Sequence, residues 1–282
     1  MAGEAQPASG RLNWNELLRA RSAELSQDLR NRPWVGIAAG LAFPSRIPPR
    51  QGLFGRRLGR AQVTLNFRNG YRLRCRLDEL EGYYAAFVQR EYEGAVADWS
   101  AVDMIIDVGA NIGAATLWFA GHAPTARVLA VEPGPDVFPR LVANILRSGL
   151  QDRVTPVAAA VGAEAGLATV MTERWSVITR TRSGVAPGLP VVGRVSLEQL
   201  VEGFGLGRHN VLKLDCEGAE YETLLSAPLA VLANFDAIVA ECHLVEGRDI
   251  SELRSHLQEA GFAVRLADKA GHAGMLTAAL RE

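Results

Sequence analysis

An apolar run that ends in a glycine-rich turn limits the possible folds more than any other part of the chain. It covers residues 104–113 and reads Met-Ile-Ile-Asp-Val-Gly-Ala-Asn-Ile-Gly. The apolar half is typical of a strand buried in a parallel sheet, and the glycines allow a tight turn into a helix. A second apolar run, residues 128–131, ends on the acid Glu132. This order of strand, turn, helix and acid-tipped strand predicts a nucleotide-binding βαβ unit.

The residues of this unit favour one kind of nucleotide. Nicotinamide cofactors usually require glycine at the middle position of Gly-x-Gly-x-x-Gly, where this chain has Asn111. Asp107 precedes the glycines and can meet a ligand ammonium, which S-adenosylmethionine carries. Glu132 can accept both hydroxyl protons of a ribose, and the N–H groups that open the helix can meet a carboxylate. The pattern therefore favours S-adenosylmethionine over a dinucleotide.

A second motif lies further along the chain, at residues 210–220. It reads Asn-Val-Leu-Lys-Leu-Asp-Cys-Glu-Gly-Ala-Glu, which predicts a buried strand with Asp215 and Glu217 at its end, followed by a helix. Ligands of open parallel sheets lie beyond the carboxyl ends of the strands. We therefore expect these two acids in the same crevice as Asp107 and Glu132.

The two motifs together resemble the FkbM-type S-adenosylmethionine-dependent methyltransferases. The resemblance rests on Asp-Val-Gly-Ala-Asn-Ile-Gly from Asp107 and Lys-Leu-Asp-Cys-Glu-Gly-Ala-Glu from Lys213, and it covers roughly residues 100 to 265. Glu132-Pro133, Asn144 and the Ser-Leu-Glu-Gln-Leu of residues 196–200 follow in the order that the family shows. Cys216 stands where a β-branched residue is more usual, and a small apolar thiol suits that strand end.

This resemblance implies both a fold and an activity. The fold would be α/β, a class I methyltransferase-like (Rossmann-like) sandwich with a seven-stranded, mostly parallel sheet. The reaction would be O-methylation of a hydroxyl on a small molecule, such as a polyketide or a sugar, with S-adenosylhomocysteine as product. N-methylation and a non-catalytic scaffold remain alternatives, and an NAD-dependent oxidoreductase fits less well. The residues expected to hold the cofactor are Asp107, Gly109, Ala110, Asn111, Gly113, Glu132, Pro133 and Asp215, the last at the boundary with the acceptor.

Methyl transfer to a hydroxyl needs a group that removes a proton. The run Glu241-Cys242-His243 ends a predicted strand, and alternation places Glu241 and His243 on one face. His243 is therefore a candidate general base that Glu241 could orient, and Asp215 is the other candidate catalytic residue. Asp215, Glu217 and Glu241 also offer oxygen ligands that suit a divalent cation such as magnesium, although their spacing does not require one.

Charge and cysteine usage narrow the partners and the compartment. Lysine plus arginine number 30 against 31 acids, so no strong field favours nucleic acid or an anionic membrane. The three cysteines show no metal-ligand spacing, which fits a reducing cytoplasm. The apolar residues 34–43 are too short and too late for a signal or a span. We expect a cytoplasmic protein with a small-molecule acceptor and no nucleic-acid or membrane partner. The sequence does not determine the oligomeric state, and a homo-oligomer is one possibility.

The pattern along the chain predicts an N-terminal extension, residues 1–99, and a cofactor-binding domain, residues 100–282. The extension would contain a disordered start, an amphipathic helix over 13–29, a β-hairpin turning at Asn69-Gly70, and a helix over 83–99. In the second domain, the sequence pattern predicts one strand over residues 154–161. Residues 162–190 are predicted to form a mobile loop that includes a short strand near 167–171. The last two predicted strands, residues 262–266 and 275–280, are expected to pair antiparallel.

Overall fold

A computed structural model describes residues 61–172, 179–269 and 274–281 of the chain. The predicted disordered start and the predicted amphipathic helix over 13–29 lie outside the described residues. Contacts place residues 62–75 and the described residues from 81 onward in one compact unit. The predicted boundary between residues 99 and 100 stays a prediction.

Thirteen strands are present in the described part of the chain. In chain order they are β1 (Gln62–Asn66), β2 (Arg72–Arg76), β3 (Met104–Val108), β4 (Arg127–Val131), β5 (Val154–Val157), β6 (Ala159–Gly162), β7 (Gly166–Thr172), β8 (Thr179–Ser183), β9 (Val191–Ser196), β10 (Asn210–Leu214), β11 (Ala237–Cys242), β12 (Phe262–Ala267) and β13 (Gly274–Leu280).

Seven α-helices are described with them. They are α1 (Leu80–Tyr83), α2 (Ala114–His122), α3 (Phe138–Arg147), α4 (Leu197–Phe204), α5 (Ala219–Ser226), α6 (Leu229–Leu232) and α7 (Ile250–Glu259). The continuous helix predicted over 83–99 is replaced by short pieces: a π-helical turn over Tyr84–Val88 and 3₁₀ turns at Glu93–Ala95 and Trp99–Ala101. Arg90, with a φ of 54°, breaks the helical path between them.

The central sheet has seven strands in the order β5-β4-β3-β10-β11-β13-β12. β13 runs antiparallel to both of its neighbours, and the other ladders are parallel. This confirms the predicted class I methyltransferase-like α/β fold with a seven-stranded, mostly parallel sheet and a terminal antiparallel pair. The chain leaves β3 toward one edge and β10 toward the other, so the strand order reverses between them. A crevice opens at such a reversal, beyond the carboxyl ends of the strands.

A second sheet of four strands, β6-β9-β7-β8, corrects two predictions. The single strand predicted over 154–161 is divided at Ala158, so that β5 joins the central sheet and β6 the second one. In the segment predicted as a mobile loop, β7 confirms the short strand predicted near 167–171, whereas β8, which pairs antiparallel with β7, was not predicted. The alternating Thr-Arg-Thr-Arg-Ser of β8 suits a half-exposed strand at the edge of a sheet, next to its partner β7.

The predicted hairpin is present as β1 and β2, and Asn144 joins it to α3 and the glycine-rich turn. The Asn144 side chain is 1% exposed and accepts a hydrogen bond from Arg74 N at 2.9 Å. Its amide nitrogen donates to Arg74 O at 3.1 Å and to Ile112 O at 2.8 Å. Asn144 therefore provides hydrogen-bond partners for backbone groups at the edge of β2 and helps to hold the glycine-rich turn in place.

No helix within residues 61–172, 179–269 and 274–281 is long and apolar enough to cross a membrane.

We predict that Asn144→Ala lowers the free energy of unfolding by about 2–4 kcal/mol, because buried backbone groups of Arg74 and Ile112 lose their partner. Urea unfolding measures the loss. Ser148→Ala is the matched control, since Ser148 Oγ also pairs with β2, accepting from Arg72 N at 3.0 Å, at a more exposed position. Its cost should be about 1 kcal/mol or less. Equal losses in the two variants would contradict the role given to Asn144.

Candidate functional site

The glycine-rich turn after β3 is shaped by its neighbours inside the protein. Gly109 has a φ of 74°, and a Cβ there would overlap the carbonyl oxygen of Asp215. Gly113 has a φ of 94°, and its Cβ would lie 2.9 Å from Leu141 Cδ1. Glycine is thus needed at both positions for chain packing, whether or not a ligand is bound.

The N–H groups of this turn are directed at the neighbouring strand. Gly109 N and Ala110 N donate to Val131 O at 2.9 and 3.0 Å, and Asn111 N donates to Glu132 Oε2 at 2.9 Å. Asn111 has a φ of 49°, which asparagine tolerates better than most residues. The turn is therefore held in shape before any ligand arrives.

Glu132 follows β4 and lies beside the turn. Its side chain is almost fully buried, and its second oxygen accepts a hydrogen bond from Gly134 N at 2.7 Å. Burial raises the pKa of Glu132 to about 7, although the bonds from Gly134 and Asn111 act in the opposite direction. Each carboxylate oxygen keeps one further acceptor position, so Glu132 can still receive the two hydroxyls of a ribose.

Asp107 has a partner inside the protein. It is fully buried, its Oδ1 lies 2.9 Å from Lys213 Nζ, and its Oδ2 accepts a hydrogen bond from Thr116 at 2.6 Å. Lys213 also donates to Gly109 O at 2.8 Å. Asp107 thus ties β3 to β10, and the ligand contact that the sequence suggested for it stays a prediction.

A cavity opens where the order of the strands reverses. Of the predicted cofactor residues, Gly109, Asn111, Glu132, Pro133 and Asp215 line it. Asp107, Ala110 and Gly113 support the turn and are not among the lining residues. Three residues of β6 and Thr181 of β8 also line the cavity, so the second sheet contributes to the site.

An acidic turn, residues 215–218, forms the wall of the cavity at the end of β10. Glu217 and Gly218 both have positive φ, at 58° and 108°. Glu220 is fully buried and holds this turn, because its two oxygens accept hydrogen bonds from Cys216 N at 2.7 Å and Gly218 N at 2.9 Å. Burial raises the pKa of the Cys216 thiol well above its usual value, so this cavity residue stays uncharged near neutral pH.

His243 lies behind this turn and is 6% exposed. Its Nδ1 is 3.1 Å from Glu220 Oε1, and its Nε2 lies 3.4 Å from Glu217 Oε2 and 3.9 Å from Asp215 Oδ1. Burial favours the neutral ring, but the hydrogen bond to Glu220 and the three carboxylates outweigh it and raise the pKa of His243 to about 9. Burial, with the nearby charge of Glu241, raises the pKa of Asp215 to about 7 against the opposing effect of Lys213.

The partner of His243 differs from the one that the sequence suggested. Glu241 was expected to orient the imidazole, but its carboxylate pairs with Lys269 Nζ at 2.6 Å, and that ammonium also lies 3.0 Å from Glu91. The hydrogen bond at Nδ1 is made with Glu220, the last residue of the motif at 210–220, to which the sequence assigned no role. A carboxylate in the first turn of α5, directly after the acidic turn, was the available signal.

Comparison with known proteins identifies the family. A sequence model of the methyltransferase FkbM domain matches residues 107–264, which includes both motifs and the end of β11. The chain belongs to the FkbM methyltransferase family. This confirms the family that the two motifs suggested.

Two methyltransferases are similar to this chain in sequence. The chain is 30% identical over 159 residues to the hexuronic acid methyltransferase AglP of Haloferax volcanii, covering 54% of this chain and 62% of that protein. It is 29% identical over 214 residues to the 31-O-demethyl-FK506 methyltransferase FkbM of Streptomyces tacrolimicus, covering 64% and 81%.

Other similarities cover less of the matched protein. The antimetabolite synthetase AmbE of Pseudomonas aeruginosa is 29% identical over 202 residues, which is 57% of this chain but 9% of AmbE. The chain thus spans less than two thirds of the length of AmbE and AglP. A solved FkbM methyltransferase from Methylobacillus flagellatus has a TM-score of 0.46 at 13% identity and covers 72% of this chain and 54% of its own.

We predict that Asp107→Ala lowers the free energy of unfolding by about 3–5 kcal/mol, because it leaves the ammonium of Lys213 buried without its carboxylate. Urea unfolding measures this loss, with exposed Asp152→Ala as a control that should stay within about 0.5 kcal/mol. Adding Lys213→Met to Asp107→Leu should recover part of the stability. A loss below about 1 kcal/mol in Asp107→Ala would show that the ion pair does not support the site.

Proposed function

We propose that this protein transfers a methyl group from S-adenosylmethionine to a hydroxyl of a small molecule. The observation that carries the proposal is the buried carboxylate of Glu132, which faces the cavity beside the glycine-rich turn where the strand order reverses. A ribose diol is a ligand that such a carboxylate recognises at this place in an α/β sheet. Membership of the FkbM family supports the same cofactor.

The cavity walls have a charge that suits this cofactor. Glu132 would take the ribose, Pro133 and the apolar residues of β6 would contact the adenine side, and Gly109 and Asn111 would lie beneath the nucleoside. On the opposite wall, the carboxylates of Asp215 and Glu217 would face the sulfonium and the ammonium of the methionine part. Opposite charges at close range in a partly buried cavity attract strongly.

The acceptor oxygen must approach the methyl group in line and lose its proton. Asp215 lines the cavity, whereas His243 is buried behind it with Nε2 3.9 Å from Asp215 Oδ1. We therefore assign the contact with the acceptor hydroxyl to Asp215 and the positioning of that carboxylate to His243 and Glu220. The sulfonium supplies the electrophile, so alignment and exclusion of water are the remaining tasks of the protein.

A hydroxyl on a sugar or on a polyketide is the acceptor class that we favour. The support comes from two relatives, whose names refer to a hexuronic acid and to a 31-O-demethyl position. Nitrogen acceptors and a scaffold without activity are the alternatives. A scaffold without activity would not need Asp215 in the cavity wall, where burial raises the pKa of its carboxyl group and makes the charged form costly.

We predict that Glu132→Gln weakens S-adenosylmethionine binding on the order of 10- to 100-fold, because a neutral amide replaces the charged acceptor of the ribose hydroxyls. Isothermal titration calorimetry measures the affinity. Glu259→Gln, at an exposed position at the end of α7, is the matched control and should bind like the unchanged protein. If the unchanged protein binds neither S-adenosylmethionine nor S-adenosylhomocysteine at millimolar concentration, the proposed function is wrong.

The pH dependence of the same titration gives a second measurement. Glu132 must be ionised to accept both hydroxyls, and its pKa is raised to about 7. Affinity should therefore rise as the pH increases from about 6 to 8, and Glu132→Gln should weaken this dependence, with the remainder due to Asp215, whose pKa is also raised to about 7. A dependence of unchanged size in Glu132→Gln would contradict the role given to Glu132.

We predict that His243→Ala keeps the affinity for S-adenosylmethionine and lowers kcat on the order of 10²-fold, because His243 lies behind the cavity wall and acts on Asp215. The assay follows transfer of a labelled methyl group to hexuronic acids and to macrolides with free hydroxyls. His209→Ala is the control, since His209 is exposed at the opposite end of β10. Unchanged turnover in His243→Ala would exclude the positioning role given to the residue.

A further inference from the structure

Three side chains from two adjacent strands converge beside the cavity. Asp215 follows β10, while Glu241 and His243 lie at the end of β11, and β10 and β11 pair in parallel. One ligand atom from each of the three lies within 4.8 Å of the other two. Two carboxylate oxygens and an imidazole nitrogen at this spacing form a set of donors that divalent metal ions accept.

The orientation of His243 is the second observation. Glu220 is fully buried and lies 3.1 Å from Nδ1, which leaves Nε2 directed toward the carboxylates of Asp215 and Glu217. Histidines that bind metals commonly donate the other ring N–H to a carboxylate, which fixes the ring and its tautomer. Glu220 has that relation to His243.

The spacing itself suits a shared ion. Nε2 and Asp215 Oδ1 are 3.9 Å apart, which is too long for a hydrogen bond. Two ligands that each lie about 2.1 Å from one metal ion are separated by roughly 3 to 4 Å. Nε2 of His243 faces the carboxylates of Asp215 and Glu217, and a divalent cation that binds there replaces the proton on Nε2 while Nδ1–H stays donated to Glu220.

We propose that Asp215, Glu241 and His243 bind a divalent cation with mixed nitrogen and oxygen preference, for which Mn²⁺ is the probe. Lys269 competes for the same carboxylate, because its ammonium lies 2.6 Å from Glu241 Oε2. It also lies 3.0 Å from Glu91, so it keeps a partner when the cation binds Glu241. The competition gives the proposal a signature: removal of the lysine charge strengthens binding of the ion.

The role of this cation in catalysis rests on the proposed function, although its binding does not. Three protein ligands leave coordination positions open on an ion that prefers six. Two neighbouring oxygens of an acceptor can occupy them, and a bound hydroxyl loses its proton more easily. The acceptor class is therefore a hydroxyl with a second oxygen on the adjacent carbon, as in a vicinal diol or a 2-hydroxy acid.

Calorimetry and electron paramagnetic resonance with Mn²⁺ on the full chain, freed of metal by a chelator, test the site. We expect one Mn²⁺ per chain. Affinity should fall at least about tenfold in Asp215→Asn, Glu241→Gln and His243→Gln, and rise in Lys269→Gln. The ¹⁴N coupling to bound Mn²⁺ should disappear in His243→Gln. Asp152→Asn and His209→Gln are matched controls at exposed positions and should bind like the unchanged protein.

The proposal is overturned if neither the unchanged protein nor Lys269→Gln binds Mn²⁺ at millimolar concentration, or if the three ligand variants bind it as well as the controls. Circular dichroism verifies that each variant is folded. S-adenosylmethionine binding, measured in the same samples with chelator present, separates the two proposals. Cofactor binding without Mn²⁺ binding would leave the methyltransferase and remove the metal site, and the reverse result would do the opposite.

Discussion

The buried ion pair between Asp107 and Lys213 is the interaction on which the rest of the site depends. It joins β3 to β10, the two strands between which the strand order reverses, and Lys213 also binds the carbonyl of Gly109. The same ammonium lies 3.8 Å from Asp215. A buried charge without its partner is costly, so this pair admits few arrangements of the two strand ends. The glycine-rich turn and the acidic turn are therefore held at a defined separation before any ligand binds.

Around this ion pair, four carboxylate side chains have different roles because their surroundings differ. Glu132 is buried against two backbone N–H groups and faces the cavity, so it suits a neutral diol. Glu220 is fully enclosed and holds both the acidic turn and His243. Glu241 is neutralised by Lys269. Asp215 alone of these four both lines the cavity and lies near His243, and it is there that the proposed cofactor, acceptor and cation would meet.

Much of this arrangement could be predicted from the sequence, but two features of it could not. The strand pattern, the acid at position 132 and the acidic turn at 215–217 were predictable because each depends on neighbours in the sequence. The partner of His243 was not, since alternation along β11 suggests Glu241, while the bond comes from Glu220 on α5. The second sheet was missed for a similar reason: β7 pairs with β9, which follows residues 184–190, and the glycines and prolines of that segment read locally as a loop.

By itself, the sequence determined the βαβ unit, the seven-stranded sheet, the family and the acids that surround the crevice, because buried strands and glycine turns are local patterns of residue type. Only the tertiary structure decided which acid takes which partner. It placed Asp107 on Lys213, Glu220 on His243 and Glu241 on Lys269, three pairs whose members come from different elements of the fold. Ion pairing depends on distance and burial, and both are set by how the strands and helices pack together.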